Sequence, residues 1–373
     1  MIRFAIDARL HAYRQGGITH YTRSLIKAMI PLLADDEELL VLEHVRSRIP
    51  LVPIARRTHL LTPPHHRLEQ ICLPIEITLR RPTLLHSPDF IPPFLRPCPA
   101  VITIHDLAFL HFPEILDQAA RRYYGQIQRA ATSAEAIITI SQATRDDIID
   151  RLGVPPERIT VIYAAADERF QPWSLPPGAT RTIDGKTLTA DTFMLFVSTI
   201  EPRKNIPTLL RALRICCDRR PSTNYHLVLA GARGWLDQPI LELIGELGLS
   251  DRITRVGFVG GDDLHWLYAA CRLYLNPSRY EGFGLPALEA LACGAPAIVS
   301  DTSSFPEVVG DAAWLAPPLD PIAWADLIEH LWHDEATRRD LARRGPQQAA
   351  RFSWTTAARQ TLHLYRQVIG RDE

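Results

Sequence analysis

The chain has 373 residues, more than one hydrophobic core usually supports, so two domains are expected. Its 41 Lys and Arg stand against 42 Asp and Glu, a formal net charge of −1 with no basic or acidic tail, which argues against nucleic acid as the main partner. No stretch approaches the roughly 18 apolar residues needed to cross a bilayer. The cysteines, at 72, 98, 216, 217, 271 and 293, lack Cys-x-x-Cys spacing and read as reduced core residues of a cytoplasmic protein with no metal site.

Residues 2–7 turn too soon to charge for a secretory signal and read as a buried strand. The Gly16-Gly17 loop leads into a helix over residues 19–29, where Tyr21, Leu25, Ile26 and Met29 recur at helical spacing. From 44 to 81 come seven arginines (46, 48, 56, 57, 67, 80, 81), interspersed with His44, His59, His65 and His66, against Glu69 and Glu76. This is either solvated loop charge or a cationic patch for anionic lipid headgroups at a membrane face. Buried strands at 101–104 and 137–140 end in His105-Asp106 and Ser141-Gln142, and Ser141 is expected to cap a helix over 146–152.

Between Phe170 and Thr187 lie Pro172, Pro176, Pro177, Gly178 and Gly185 with few apolar residues, the composition of a linker. The expected division is therefore a domain over 1–170, a linker over 171–187 and a second domain over 188–353. A closing helix over 354–368 carries Ala358, Leu362 and Tyr365 on one side. In the second half, strands near 193–197, 226–230, 254–258, 273–276 and 297–300 alternate with helices. That pattern is a doubly wound parallel sheet, and both halves should be α/β.

Two strand ends in that half carry chemistry. After the strand at 193–197 comes Ser198-Thr199-Ile200-Glu201-Pro202-Arg203-Lys204-Asn205, with Asn205 a credible cap for a helix over 206–216. Arg203 and Lys204 thus stand at the carboxyl edge, where open α/β sheets bind ligands and where a diphosphate needs positive charge. An Arg-Lys pair can equally be solvated surface. After the strand at 273–276 comes Tyr280-Glu281-Gly282-Phe283-Gly284-Leu285-Pro286, then a helix over 286–293 that contains Glu289 and is stopped by Gly294. The amides at that helix start suit an anion, and the glutamates suit the hydroxyls of a sugar or ribose. The plainer alternatives are a solvated loop charge at Glu281 and a dipole-favoured carboxylate at Glu289.

These segments, with Leu227-Val228-Leu229-Ala230-Gly231, resemble retaining glycosyltransferases of family 4, also called glycosyltransferase group 1, which have the GT-B fold. Ile6-Asp7-Ala8-Arg9, Gly16-Gly17-Ile18, His86-Ser87-Pro88 and Ile104-His105-Asp106-Leu107 are similar to members that transfer mannose or related sugars in polysaccharide assembly. The likeness covers nearly the whole chain. It implies two Rossmann-like domains facing across a cleft, the second holding a nucleotide-diphosphate sugar and the first most of a saccharide or lipid-linked acceptor. The closing helix, over about 354–373, is implied to cross back onto the first domain.

By the same resemblance, Arg203 and Lys204 stabilise the departing diphosphate in place of a metal. Glu281 faces the transferred sugar, and Glu289 accepts from the ribose hydroxyls. The amides of Phe283, Gly284 and Leu285 meet sugar or phosphate, and Gly16 and Gly17 approach the diphosphate. Gly257 and Phe258 lie where the base binds, and His105 lies beside the donor sugar, unless it forms a structural pair with Asp106. No cofactor and no metal are implied. The chain departs from many members in having Thr199 where they carry an arginine, leaving Arg203 to supply that charge. Tyr163-Ala164-Ala165-Ala166-Asp167 likewise replaces an Asn-Gly turn.

The implied activity is metal-independent, retaining transfer of a hexose, with GDP-mannose favoured over UDP-sugars as donor. A nucleotide-sugar epimerase or phosphorylase of the same fold, or a non-catalytic sugar-nucleotide binder, are the alternatives. No Gly-x-Gly-x-x-Gly follows the first strand, which disfavours hydride transfer.

Overall fold

A computed structural model describes residues 1–13, 16–231 and 237–371. The chain forms two compact units: Met1–Ala164 together with the segment from Ser353 onward, and Ala165–Phe352. The break falls inside Tyr163-Ala164-Ala165-Ala166-Asp167.

In the first unit the strands are β1 (Ile2–Asp7), β2 (Glu37–His44), β3 (Arg56–Leu60), β4 (Leu84–Ser87), β5 (Ala100–Ile104), β6 (Ala136–Thr139) and β7 (Ile159–Val161). They form one parallel sheet in the order β3-β2-β1-β4-β5-β6-β7. Strands such as β4, β5 and β6 are buried along their whole length, as expected where crossover helices cover both faces. The order reverses between β1 and β4, which makes their carboxyl ends a topological switch point.

The first helix runs from Gly17 to Met29, two residues earlier than the apolar period indicates, with Gly16 at its N-cap. Ser141 does cap a helix, its Oγ accepting from Thr144 N at 3.1 Å, but that helix begins at Gln142. The helix Trp354–Val368 belongs to the first unit. Arg366 grips the Glu37 carboxylate of β2 at 2.8 and 2.9 Å, and the Tyr365 hydroxyl meets His86 Nδ1 at 2.5 Å.

In the second unit β8 (Thr180–Ile183) and β9 (Lys186–Thr189) form an antiparallel hairpin. The remaining strands are β10 (Met194–Val197), β11 (Leu227–Ala230), β12 (Ile253–Val256), β13 (Leu273–Asn276), β14 (Ala297–Ser300) and β15 (Trp314–Ala316). They form a parallel sheet in the order β12-β11-β10-β13-β14-β15, with its switch point between β10 and β13. Leu209, Leu213 and Cys216 of the helix Ile206–Arg219 pack with Trp324, Ile328 and Leu331 of the helix Pro321–His333 in its core.

The hairpin corrects the linker expected over 171–187. Pro and Gly dominate that composition, yet Asp184-Gly185 stands between threonine-rich runs whose Ile183 and Leu188 are buried. Asp184 and Gly185 both take positive φ, 49° and 71°, as a two-residue hairpin loop requires.

Candidate active site

Both charged segments flank the switch point of the second sheet, one after β10 and the other after the neighbouring β13. Past β10, Pro202–Lys204 make one 3-10 turn and Asn205 takes a left-handed conformation, φ 57°, before the helix Ile206–Arg219. Asn205 stands at the N-cap position but makes no side-chain cap. Its Nδ2 donates to Pro277 O at 3.0 Å, and its Oδ1 accepts from Thr208 Oγ1 at 2.9 Å. The residue expected to cap the helix instead ties the β10 loop to the β13 loop.

The two loops meet at Glu281. Lys204 Nζ lies 2.6 Å from its Oε1, Arg203 Nη1 lies 3.1 Å from its Oε2, and Ser278 Oγ donates to Oε1 at 2.8 Å. Arg203 also donates to Glu201 Oε2 at 3.0 Å and to Tyr280 O at 3.1 Å. Lys204 and Glu281 are 6% and 7% exposed, so this ion pair is nearly dry. Burial by itself would raise the Glu281 carboxyl, but Lys204 and Arg203 overcome it and hold the group down at about 2. Burial and the neighbouring Arg203 lower Lys204 against the pull of Glu281. Ser303 and Ser304 fix the backbone, their hydroxyls donating to Glu281 O at 2.6 and 3.0 Å.

The Glu281 carboxylate is engaged by two cations and a hydroxyl, which makes it their shared counter-charge and takes three of its roughly four acceptor positions, a contact that the sequence alone does not show.

The helix Leu285–Ala292 starts immediately beyond, with Gly284 at its N-cap and no side-chain cap. Gly284 has φ +85°, and a Cβ there would lie 2.7 Å from Phe305 Cε1, so glycine is needed on both counts. Among the described residues the amides of Gly284 and Leu285 make no hydrogen bond, as at the first turn of any helix. The Phe283 side chain is 2% exposed and packs edge-on against Phe352, so it belongs to the core and not to a ligand surface. Glu289 lies on the same helix but outside the ion cluster. It accepts from Tyr268 OH at 2.9 Å, and burial pushes its carboxyl up to about 8.

Gly257 and Phe258 lie just past the end of β12, which stops at Val256. Gly257 N donates to Asp184 Oδ2 at 3.2 Å, and Phe258 is 78% exposed.

Gly16, Gly17 and His105 belong to the first unit. A Cβ added at Gly16 or Gly17 meets nothing within 4 Å, so neither glycine is required by packing inside the protein. His105 Nε2 lies 3.0 Å from Pro88 O, which can only accept, so Nε2 carries the proton and Nδ1 the lone pair. Its ring stands edge-on to Tyr21 at 4.7 Å. Burial lowers its imidazole despite Asp106 nearby, keeping it neutral. Asp106 accepts instead from Ala108 N at 2.9 Å, so a His105-Asp106 pair is not what holds the ring.

The sequence reading missed Ser278, Tyr268 and Asp184. Ser278 was detectable from its three-residue spacing to Glu281 and Asp184 from its Asp-Gly turn. Tyr268 reaches Glu289 only through the fold. Among the described residues no group of three or more His, Cys, Asp or Glu could hold a metal, and no helix is long and apolar enough to cross a membrane.

Residues 182–348 match the family model of glycosyl transferases group 1, and residues 16–170 match that of glycosyltransferase family 4. The chain is 36% identical over 284 residues to O-antigen chain mannosyltransferase B of Escherichia coli, covering 76% of this chain and 74% of that one. It is 32% identical over 281 residues to the serotype-specific mannosyltransferase WbdA of Escherichia coli, covering 73% of this chain and 34% of WbdA, so it spans about a third of that protein. Sucrose-phosphate synthase from Thermosynechococcus elongatus superposes with a TM-score of 0.78 at 22% identity, over 100% of both chains. The chain belongs to the family 4, group 1 glycosyltransferases and has the GT-B fold: it is an enzyme that transfers a sugar from a nucleotide-sugar donor.

Proposed function

We propose that the enzyme is a retaining, metal-independent mannosyltransferase that uses GDP-mannose and extends a glycan or a lipid-linked saccharide in polysaccharide assembly. The observation that carries this reading is the Arg203-Lys204 pair, fixed by Glu281 at the switch point of the second sheet beside the start of the helix Leu285–Ala292. Breaking a sugar–phosphate bond leaves negative charge on the diphosphate, and donors already aimed at that charge are often the largest catalytic contribution. In this reading Lys204 and Arg203 take up the charge, and the Gly284 and Leu285 amides hold sugar or phosphate. Glu289 binds the ribose, and Gly257 and Phe258 receive the base. Gly16, Gly17 and His105, on the first unit, are read as further ligand contacts. The similarity to the two mannosyltransferases supports mannose.

Peripheral membrane contact through the first unit is part of the same proposal. On the helix Glu69–Arg80, Ile71, Ile75 and Leu79 recur every four residues and are 64%, 61% and 70% exposed. Exposed Arg46, Arg48, Arg67 and Arg81 lie in the same region of sequence. An apolar helical stripe with basic residues around it suits an anionic lipid interface.

The test is product analysis with purified protein, GDP-mannose or a UDP-hexose, and a mannose-terminated acceptor, with the anomeric configuration read by NMR. An α-mannoside formed from GDP-mannose, with the donor's configuration kept, supports the reading. Transfer from UDP-hexose alone, inversion, or an isomerised donor without transfer overturns it.

A further inference from the structure

We propose that Asp184, at the tip of the β8–β9 hairpin, reads the nucleotide base, its carboxylate accepting from the adjacent N1–H and N2–H groups of guanine. The inference rests on the GDP-mannose reading above and adds the residue that selects the base.

Several features fix this carboxylate in place. The loop Asp184-Gly185 joins strands in tight register, Ile183 opposite Lys186. Ile183 and Leu188 are 4% and 5% exposed beneath it, and Arg181 Nε ties the hairpin to Asp263 at 2.6 Å, on the helix Gly261–Ala270. The tip lies over the carboxyl edge of the sheet, where the Gly257 amide just past β12 donates to Asp184 Oδ2 at 3.2 Å. A cavity of about 130 Å³ opens there, lined by Asp184, Ser198, Gly231, Arg255 and Gly257 over an apolar floor that includes Phe196 and Leu229. Whole small-molecule pockets run to about 300–1,000 Å³, so this slot suits the edge of a base.

At the wall of the slot two strand-end loops pass so close that one of them needs a glycine. Gly231 has φ +153°, and a Cβ on it would come within 1.9 Å of Ser198 O. Ser198 and Ile200, both lining the slot, belong to the loop that continues to Arg203 and Lys204, so a base seated here leads its diphosphate toward the two cations. Exposed Phe258 beside Gly257 offers a ring face for stacking.

The chemistry of the carboxylate then selects the base. An ionised aspartate has two acceptor oxygens and no donor. Guanine offers two N–H groups side by side, which match both oxygens. Uracil offers one N–H between two carbonyls, which a carboxylate repels. Hypoxanthine keeps N1–H but lacks the N2 amine.

Binding of GDP, IDP and UDP to the full chain, by calorimetry, tests this with wild type, Asp184→Asn and Asp184→Ala. Asparagine keeps the favoured Asn-Gly hairpin loop and an oxygen for the Gly257 amide, so the unfolding midpoint should not move. Wild type should bind GDP at least about fivefold more tightly than IDP, the low end for a two-bond base contact. Both variants should bind GDP and IDP within about twofold of each other, with GDP affinity down about tenfold. If wild type binds UDP as tightly as GDP, the donor reading fails and this inference with it. If wild type prefers GDP and both variants keep the GDP-over-IDP ratio, the assignment of Asp184 fails alone.

Discussion

Replacing Glu281 by glutamine separates two roles for this residue, counter-charge to the cations or acceptor for the sugar. The substitution keeps shape and removes charge, stranding Lys204, 6% exposed, and Arg203 without their shared partner. Breaking a buried pair from one side costs about 3–5 kcal/mol, because the remaining charge is left in a poor solvent. A second route gives a similar size. The carboxyl sits at about 2 against an ordinary 4.5, and at about 1.4 kcal/mol per unit of pKa the difference is worth roughly 3 kcal/mol. Because the folded value is depressed, that contribution is complete above the ordinary value and is lost as pH falls through about 2.

Urea unfolding followed by tryptophan fluorescence reads this out, since six of the seven tryptophans (173, 235, 266, 314, 324 and 332) fall in the second unit's sequence. With a slope of about 2–3 kcal/mol per molar urea, Glu281→Gln should lower the midpoint by about 1–2 M. Adding Lys204→Met should recover at least about 1 kcal/mol of the loss, as coupled neighbours do. A midpoint that stays put while kcat/KM falls more than a hundredfold would mean that the carboxylate leaves the cations to bind sugar, refuting the counter-charge role.

Lys204→Ala should lower kcat more than it weakens nucleotide binding, whereas Glu289→Ala should mainly raise the Kd for GDP; steady-state kinetics and calorimetry compare the two. With the Glu289 carboxyl raised by burial to about 8, the native state holds a proton that the unfolded chain releases near 4.5. Its contribution to stability is therefore complete below that ordinary value and disappears as pH rises through about 8. In the proposed ribose-binding role an ionised Glu289 would accept from both hydroxyls, so GDP affinity should rise with pH until about 8 and then level off, and Glu289→Gln should flatten the profile. Gly17→Ala should leave the melting temperature unchanged or raise it, since nothing lies within 4 Å of the new Cβ and alanine restricts the unfolded chain. A raised KM for the donor in that variant, measured beside the melt, is the expected sign that the glycine serves a ligand. Ile75→Glu should abolish sedimentation with anionic vesicles; retention equal to wild type would remove membrane contact through this helix.

Strand ends in the second half were legible because buried parallel strands are short continuous apolar runs followed by polar residues or proline, as at Phe193–Val197 and Leu273–Asn276. Strand β2 was not, because Glu37, Glu38, Glu43 and His44 make it look polar, and only the fold supplies the arginines that let Glu37 and Glu38 be buried. The hairpin was hidden for the opposite reason. Its proline- and glycine-rich approach outweighed a short alternating pattern around Asp184-Gly185. At the site, residue types and order in the chain marked Arg203, Lys204 and Glu281, but not their mutual contact across 77 positions. That contact adds a counter-charge role for Glu281, since a carboxylate near hydroxyls and one between two cations read identically in sequence.

The ion cluster also explains how two adjacent cations are tolerated in a nearly dry site. Arg203 and Lys204 are balanced by Glu201 at 3.0 Å and by Glu281 at 3.1 and 2.6 Å, so the four side chains carry no net formal charge. In the proposed role, attraction for a diphosphate would then come from orientation more than from excess charge. The Lys204 ammonium has three donors, of which Glu281 takes one, and the amides of Gly284 and Leu285 start a helix whose dipole favours an anion. All of these groups are fixed before the sugar–phosphate bond breaks: Lys204 by Glu281, Glu281 by Ser278 and the two serines at 303 and 304, and the β10 loop by Asn205. Groups already aimed at the developing charge need no reorganisation as it appears, which is where preorganised electrostatic catalysis gains its advantage over water.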